Sequence, residues 1–271
     1  MNKKRMIVMD LDGTLLNEKS KVSKKTKIYL SELKQEGYKI VIATGRILGS
    51  AIIATDGAEF ANYIVTDAGA AIYKNTNKND VWKNIYIAPI SRKIAEDIIE
   101  KFNNEEFAYI DLCSKNYVNM YATKYISKNV VVKKYTDKNE ILENINEIIH
   151  IAVGFWKNEF VKKYQQIFIE RYPSLDIKIM QDSFGDIQWL ELSNKGIEKY
   201  SGIYKIAQIE KVENKDIIAF GDGLNDVDMI KKCGIGVAMK NALADVKTRA
   251  DFVTDKSNWE DGIVDFLEKY L

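Results

Sequence analysis

Histidine occurs once in 271 residues and cysteine twice. Cys113 and Cys233 lie far apart with no metal-type spacing, so neither a disulfide framework nor a zinc site is expected, and a reducing cytoplasm is the natural home. The lone histidine, His150, opens the apolar run IAVGFW and reads as a strand-edge residue, so the chemistry has to proceed without imidazole. Excess charge is missing too. Forty basic residues face thirty-nine acidic ones, which gives no electrostatic case for a nucleic-acid or membrane partner. No apolar stretch approaches membrane-spanning length, and MNKKRMIVMDLDG breaks its apolar run at Asp10, too early for a signal peptide. Internal repeats and low-complexity segments are absent.

What is there is a globular composition, 46% hydrophobic and 29% charged, in a chain long enough for one large domain or two smaller ones. The outer thirds alternate strand and helix. Residues 5–9 (RMIVM) and 38–43 (YKIVIA) read as strands buried on both faces, followed by 63–66 (YIVT). Between the first two, Ser23 caps an expected helix that Gly37 stops. The last third repeats the pattern, with strands at 216–220, 236–239 and about 252–254. Its helices cover 225–232, a stretch from about 242, and an amphipathic end carrying Ile263, Phe266 and Leu267. Such alternation implies an α/β fold, a doubly wound parallel (Rossmann-like) sheet with helices on both faces.

The middle differs. Strands at 107–112, 117–122 and 151–156 alternate with period two, among helices at 92–102, 138–149 and 159–171. That pattern predicts an inserted α+β domain whose sheet is open on one face. The expected division is a catalytic core of 1–83 and 189–271 with an insert of 84–188.

Ligands of an open parallel sheet collect beyond the carboxyl ends of its strands. Three expected strands end there in polar groups: DLDGT at 10–14, TGR at 44–46 and GDGLND at 221–226. Asp10, Asp12, Asp222 and Asp226 would then share one crevice, and carboxylates so close repel unless a cation neutralises them. Hard oxygen ligands without nearby His or Cys point to Mg²⁺. Thr44 and the N–H groups of Thr44-Gly45 are expected to begin a helical turn that binds an anion, with Asn225 adding an amide donor. Such a site suits a phosphoryl group. One Asp of the DLD pair would attack phosphorus to form an aspartyl-phosphate, and its neighbour would move protons.

DLDGT, TGR, a Gly-x-x-Lys segment and GDGLND, in that order, resemble the four motifs of the haloacid dehalogenase (HAD) superfamily, and the large insertion resembles the type IIB cap of its Cof-type phosphatases. The resemblance implies that Asp10 is the nucleophile and a metal ligand, and that Asp12 is the general acid/base, offering its backbone carbonyl to the metal. It makes Asp222 a metal ligand, supported by Asp226. It implies a phosphate-binding set of Leu11, Thr44, Gly45, Lys199 and Asn225. Of two lysines in LELSNKGIEKYSGI, Lys199 fits the family's Gly-x-x-Lys pattern better than Lys195. Three positions depart from that pattern: Tyr200 for a frequent glycine, Ala68 for the asparagine of NGA, and Lys240 for the glycine of AMGNA. The implied activity is Mg²⁺-dependent hydrolysis of small phosphorylated metabolites, such as sugar phosphates, FMN or pyridoxal phosphate, by a monomer or small homo-oligomer. Two alternatives stay open, a sugar phosphomutase and a non-catalytic phosphate or Mg²⁺ sensor.

Overall fold

A computed structural model describes residues 5–76, 82–103, 105–115, 117–122, 132–145, 147–181 and 188–271. In chain order the first elements are β1 (Met6–Met9), α1 (Lys24–Gln35), β2 (Lys39–Ala43), α2 (Leu48–Thr55), β3 (Tyr63–Thr66), β4 (Ala71–Asn75) and β5 (Trp82–Ile87). Then come α3 (Arg92–Glu100), β6 (Phe107–Cys113), β7 (Val118–Tyr121), β8 (Val132–Tyr135), α4 (Lys138–Asn144), β9 (His150–Phe155), α5 (Asn158–Arg171), β10 (Leu175–Gln181) and β11 (Gln188–Asn194). The chain ends with α6 (Lys199–Glu210), β12 (Ile217–Gly221), α7 (Val227–Lys232), β13 (Ile235–Ala238), α8 (Ala244–Lys247), β14 (Phe252–Val253) and α9 (Gly262–Tyr270). Among the described residues no helix is long and apolar enough to cross a membrane.

These elements form two compact units, one of Met1–Tyr86 with Glu198–Leu271 and one of Ile87–Ile197. The first unit is built on a sheet in the order β14-β13-β12-β1-β2-β3-β4-β5. The pairings from β14 through β3 are parallel, and β4 turns back antiparallel on β3. Strands from both ends of the chain thus meet at its centre, where Met6 to Met9 pair with Ile217 to Phe220. Alternate side chains serve opposite faces. Val8, Val41, Val65 and Ala219 join Ile203 and Ile206 of α6 and Met229 of α7 in one core cluster. Phe220 points the other way and meets Phe266 of α9 edge-on at 5.5 Å. The helix expected after Ser23 is α1, and the Ser23 hydroxyl accepts the Thr26 N–H at 3.0 Å.

The second unit is a six-stranded sheet, β10-β11-β9-β6-β7-β8, antiparallel except for the β7–β8 pair. Ile110, Leu112, Ile151, Val153, Leu190 and Leu192 share one core with residues of α3, α4 and α5. The intervening residues, Asp111 among them, alternate to the opposite face. The unit runs on to Ile197 because β11 pairs with both β10 and β9, so the chain returns to the first unit nine residues later than the sequence pattern indicated. The helix expected over 138–149 ends at Asn144. Ile145 is extended (φ −92°, ψ 120°), and Ile148 bridges to Ile90.

Candidate active site

Strand β1 delivers Asp10 to the carboxyl edge of the sheet, where its N–H donates to the Phe220 carbonyl at 3.1 Å. The chain then makes one wide turn in which the Leu15 N–H returns to the Asp10 carbonyl and the Leu16 N–H to that of Leu11. Gly13 breaks the turn at φ 79°, a left-handed value that suits a residue without Cβ. A Cβ there would also overlap the Asp222 carboxylate. The next residue, Thr14, donates from its hydroxyl to Asp222 Oδ1 at 2.8 Å. DGT is therefore the connection that lets the loops after β1 and β12 touch.

Lys199 opens α6, and its side chain is 1% exposed. Its Nζ lies 2.6 Å from Asp10 Oδ1 and 2.7 Å from Asp226 Oδ1. The other Asp226 oxygen accepts the N–H groups of Asp222 and Gly223, at 3.0 and 2.9 Å. Asp226 thus braces the GDG turn as well as the lysine. Lys195 is exposed and belongs to the second unit.

Carboxylate oxygens of Asp10, Asp222 and Asp226 lie within 4.8 Å of one another. Burial pushes the Asp10 carboxyl well above the ordinary carboxylate range and Asp226 adds to this, with Lys199 opposing both. Asp222 is raised to about 6, first by burial, against the Thr14 hydrogen bond and with Asp226 adding repulsion. Burial works against the Lys199 ammonium as well, yet Asp10 and Asp226 hold it above the usual lysine range. The one ammonium leaves the three carboxylates short of positive charge. A hard divalent cation would supply that charge, and the all-oxygen donor set of these carboxylates fits one such as Mg²⁺.

The remaining expected site residues fall around this cluster in different ways. The Thr44 hydroxyl is buried and accepts the Arg46 N–H at 3.0 Å, which leaves its own proton to donate. The Thr44 N–H is already committed to the Val65 carbonyl at 2.9 Å, because β2 continues its pairing with β3 through this residue. No helix starts at Thr44-Gly45, and α2 begins only at Leu48. The expected amide anion site therefore loses its Thr44 member. Leu11 is buried within the turn, while Gly45 and Asn225 are exposed. The Asp12 side chain stands outside the metal-type cluster and is gripped by Arg46.

The three departures take separate places. The Tyr200 hydroxyl donates to Asn214 at 3.3 Å and its ring stacks on Tyr204, a packing role on α6. Lys240 is exposed, and its N–H donates to the Thr254 hydroxyl at 2.8 Å. Ala68 lies in a left-handed run with Asp67 and Gly69, and its N–H donates to the Thr44 carbonyl at 3.0 Å. Motif reading passed over Arg46 of TGR, Thr14 of DLDGT and Asn241 of AMKNA, although the quoted motifs contain all three. Asn241 donates to the Gly13 carbonyl at 2.7 Å and accepts the Asn258 N–H at 3.1 Å, holding the turn after Asp10 from outside.

Comparison with known proteins gives a consistent set of similarities. The family model for haloacid dehalogenase-like hydrolases matches residues 7–267. Two Bacillus subtilis proteins named 5-amino-6-(5-phospho-D-ribitylamino)uracil phosphatase are similar along nearly their whole length. YcsE is 26% identical over 98% of this chain and 96% of its own, and YitU is 28% identical over 98% and 97%. Among solved structures, a haloacid dehalogenase-like hydrolase from Bacteroides thetaiotaomicron superposes with a TM-score of 0.82 at 23% identity, covering 99% of this chain and 100% of its own. The subclass IIB sugar phosphatase BT4131 superposes with a TM-score of 0.73 at 22% identity over 98% of each chain. At these identities the two structures establish a shared fold.

Proposed function

The chain belongs to the haloacid dehalogenase-like hydrolases, and on that premise we propose that it is a Mg²⁺-dependent phosphatase of small phosphorylated metabolites, of the Cof type with a IIB insert. The observation that carries the proposal is Asp10, a buried carboxylate bonded to a buried ammonium and placed beside Asp222 at the end of β1. Asp10 and Asp222 would hold Mg²⁺, with Asp226 behind them. When bound, the ion neutralises these carboxylates and polarises the phosphoryl group.

The residues of the chain supply the rest. Thr44 and Lys199 orient the phosphoryl oxygens, with the Leu11 and Gly45 backbone and the Asn225 amide completing the cradle. Lys199 also offsets the repulsion between Asp10 and an incoming phosphate. An Asp10 oxygen attacks phosphorus in line as the ester bond breaks, and Asp12 gives the departing alcohol its proton. Asp12 then takes a proton from water as that water's oxygen bonds phosphorus and the bond from Asp10 to phosphorus breaks, which regenerates the Asp10 carboxylate and frees inorganic phosphate. None of these steps needs a histidine. Substrate choice is assigned to the inserted unit, and the class is sugar phosphates or phosphorylated cofactors such as FMN and pyridoxal phosphate. A phosphorylated ribitylaminouracil, the compound in the two relatives' names, falls within it. A chain with only two cysteines, both buried, fits work in a reducing cytoplasm.

The test is phosphate release from p-nitrophenyl phosphate and a panel of these esters, with Mg²⁺ or with EDTA. Release is expected only with Mg²⁺ and is expected to fall at least about a thousandfold in folded Asp10→Asn. Undiminished release with EDTA, or from Asp10→Asn, would contradict the proposal.

A further inference from the structure

Arg46 has no place in the mechanism so far, yet its side chain makes the most directional contact at the site. Its Nε lies 2.7 Å from Asp12 Oδ2 and its Nη2 lies 2.5 Å from Oδ1. Both oxygens of one carboxylate are thus held in a single planar fork, an arrangement that sets direction as well as charge. Stability does not account for it. The Asp12 side chain is 58% exposed and that of Arg46 28%, and an ion pair so open contributes at most about 1 kcal/mol.

The arm itself is fixed at several points. The Arg46 N–H donates to the Thr44 hydroxyl, its carbonyl accepts the Asp67 N–H at 3.1 Å, and Nη1 reaches the Ser50 hydroxyl at 3.4 Å. The loop after β2 therefore presents a braced guanidinium to the loop after β1. Asp12 lies two residues from Asp10, but its carboxylate is not among the three that gather as a metal-type cluster. A free Asp12 carboxylate would be drawn to any cation held there, and the fork points it elsewhere.

We propose that Arg46 is a positioning residue that reserves Asp12 for proton transfer at the leaving-group oxygen. The inference rests on the phosphatase reading above. When Asp12 carries the proton, one oxygen keeps its bond to the guanidinium and the other presents the proton to the ester oxygen. As the Asp10–phosphorus bond forms and the ester bond breaks, that proton passes to the departing alkoxide. Arg46 never meets phosphorus in this scheme. Its contribution scales with how much the leaving group needs a proton.

Leaving-group dependence tests this. The constant kcat/KM, which covers steps up to departure of the alcohol, is measured with Mg²⁺ for p-nitrophenyl phosphate and for glycerol phosphate. The phenolate departs without help, whereas the alkoxide must be protonated. Arg46→Ala is expected to lower kcat/KM for glycerol phosphate at least about tenfold more than for p-nitrophenyl phosphate. Arg46→Lys should restore part of the difference, since an ammonium is a point charge without the fork geometry. On an Asp12→Ala background, adding Arg46→Ala should leave the ratio between the esters unchanged. An equal loss for both esters, or a further change of ratio in the double variant, overturns the inference. If Arg46→Ala does not fold, the lysine variant carries the same comparison. Failure of the wild type to release phosphate from any ester would instead sink the phosphatase reading, and this proposal with it.

Discussion

Lys199 pairs with two carboxylates at a depth where none of the three groups meets bulk water. Each charge there is tolerable only because of the others, so the site responds to the loss of one as a unit. Lys199→Met leaves Asp10 and Asp226 facing each other without a cation. We expect a loss of roughly 3–5 kcal/mol in chemical denaturation without Mg²⁺ at neutral pH. With the ammonium gone the folded-state pKa of Asp10 rises further above its unfolded value. The penalty therefore grows with pH and shrinks in acid, where the carboxyl takes a proton. Denaturation at pH 5 and pH 8 checks this, and a pH-independent loss would contradict it. Some of this was legible from residue order alone. DLDGT and GDGLND named the carboxylates, because each closes a buried strand where a charge needs a reason. The Arg46–Asp12 fork was not, since it joins side chains from neighbouring loops and depends on how each loop turns.

At the scale of elements, strand ends decide the chemistry through backbone conformation. The run Asp67-Ala68-Gly69 after β3 is left-handed throughout, with φ of 51°, 52° and 113°. Asp67 donates its N–H to the Arg46 carbonyl and Ala68 to that of Thr44, so the strained run anchors the loop that carries both. Alanine is poorly suited to φ 52°, and the asparagine expected from the family pattern would be better. Ala68→Gly should raise stability by about 0.5–1 kcal/mol in urea denaturation, and a loss would show that the alanine methyl is needed for packing.

Strand β6 holds a different liability. Asp111 faces away from the helix-packed core, its Oδ1 has no hydrogen-bond partner among the described residues, and burial raises its pKa to about 7 against the pull of His150. Its ordinary value is 3.8, so between pH 4 and 7 the unfolded chain binds fewer protons than the folded one, and stability falls as pH rises. Asp111→Asn should remove that slope and stabilise the second unit above pH 7 by on the order of 3 kcal/mol, read by amide exchange in β6 and β9. An unchanged slope would contradict the assignment. Buried parallel strands such as YIVT were readable at once. The half-buried strands β8 (VKKY) and β11 (QWLELSN) were not, because with one face polar they carry too few apolar residues to stand out from loops.

At the scale of the whole molecule, the active-site unit is discontinuous in sequence. Asp10, Asp12 and Thr44 come from before the insert, and Lys199, Asp222 and Asp226 from after it. The central pairing of β1 with β12 is what brings the two sets together, so the site exists only when both ends of the chain share one sheet. The insertion was visible as a change from continuous apolar runs to period-two alternation. Its far boundary was misplaced because β11 alternates like the insert yet leads directly into the Gly-x-x-Lys segment. In the proposed reaction Asp10 takes the phosphoryl group. The most direct test is mass spectrometry of the intact protein, acid-quenched during turnover of a phosphate ester with Mg²⁺, followed by peptide mapping. A species heavier by one phosphoryl group is expected, mapped to Asp10, absent from Asp10→Asn and more abundant in Asp12→Ala, where hydrolysis of the intermediate is slowed. A phosphoryl group mapped to another residue, or turnover that persists in Asp10→Asn, would contradict it.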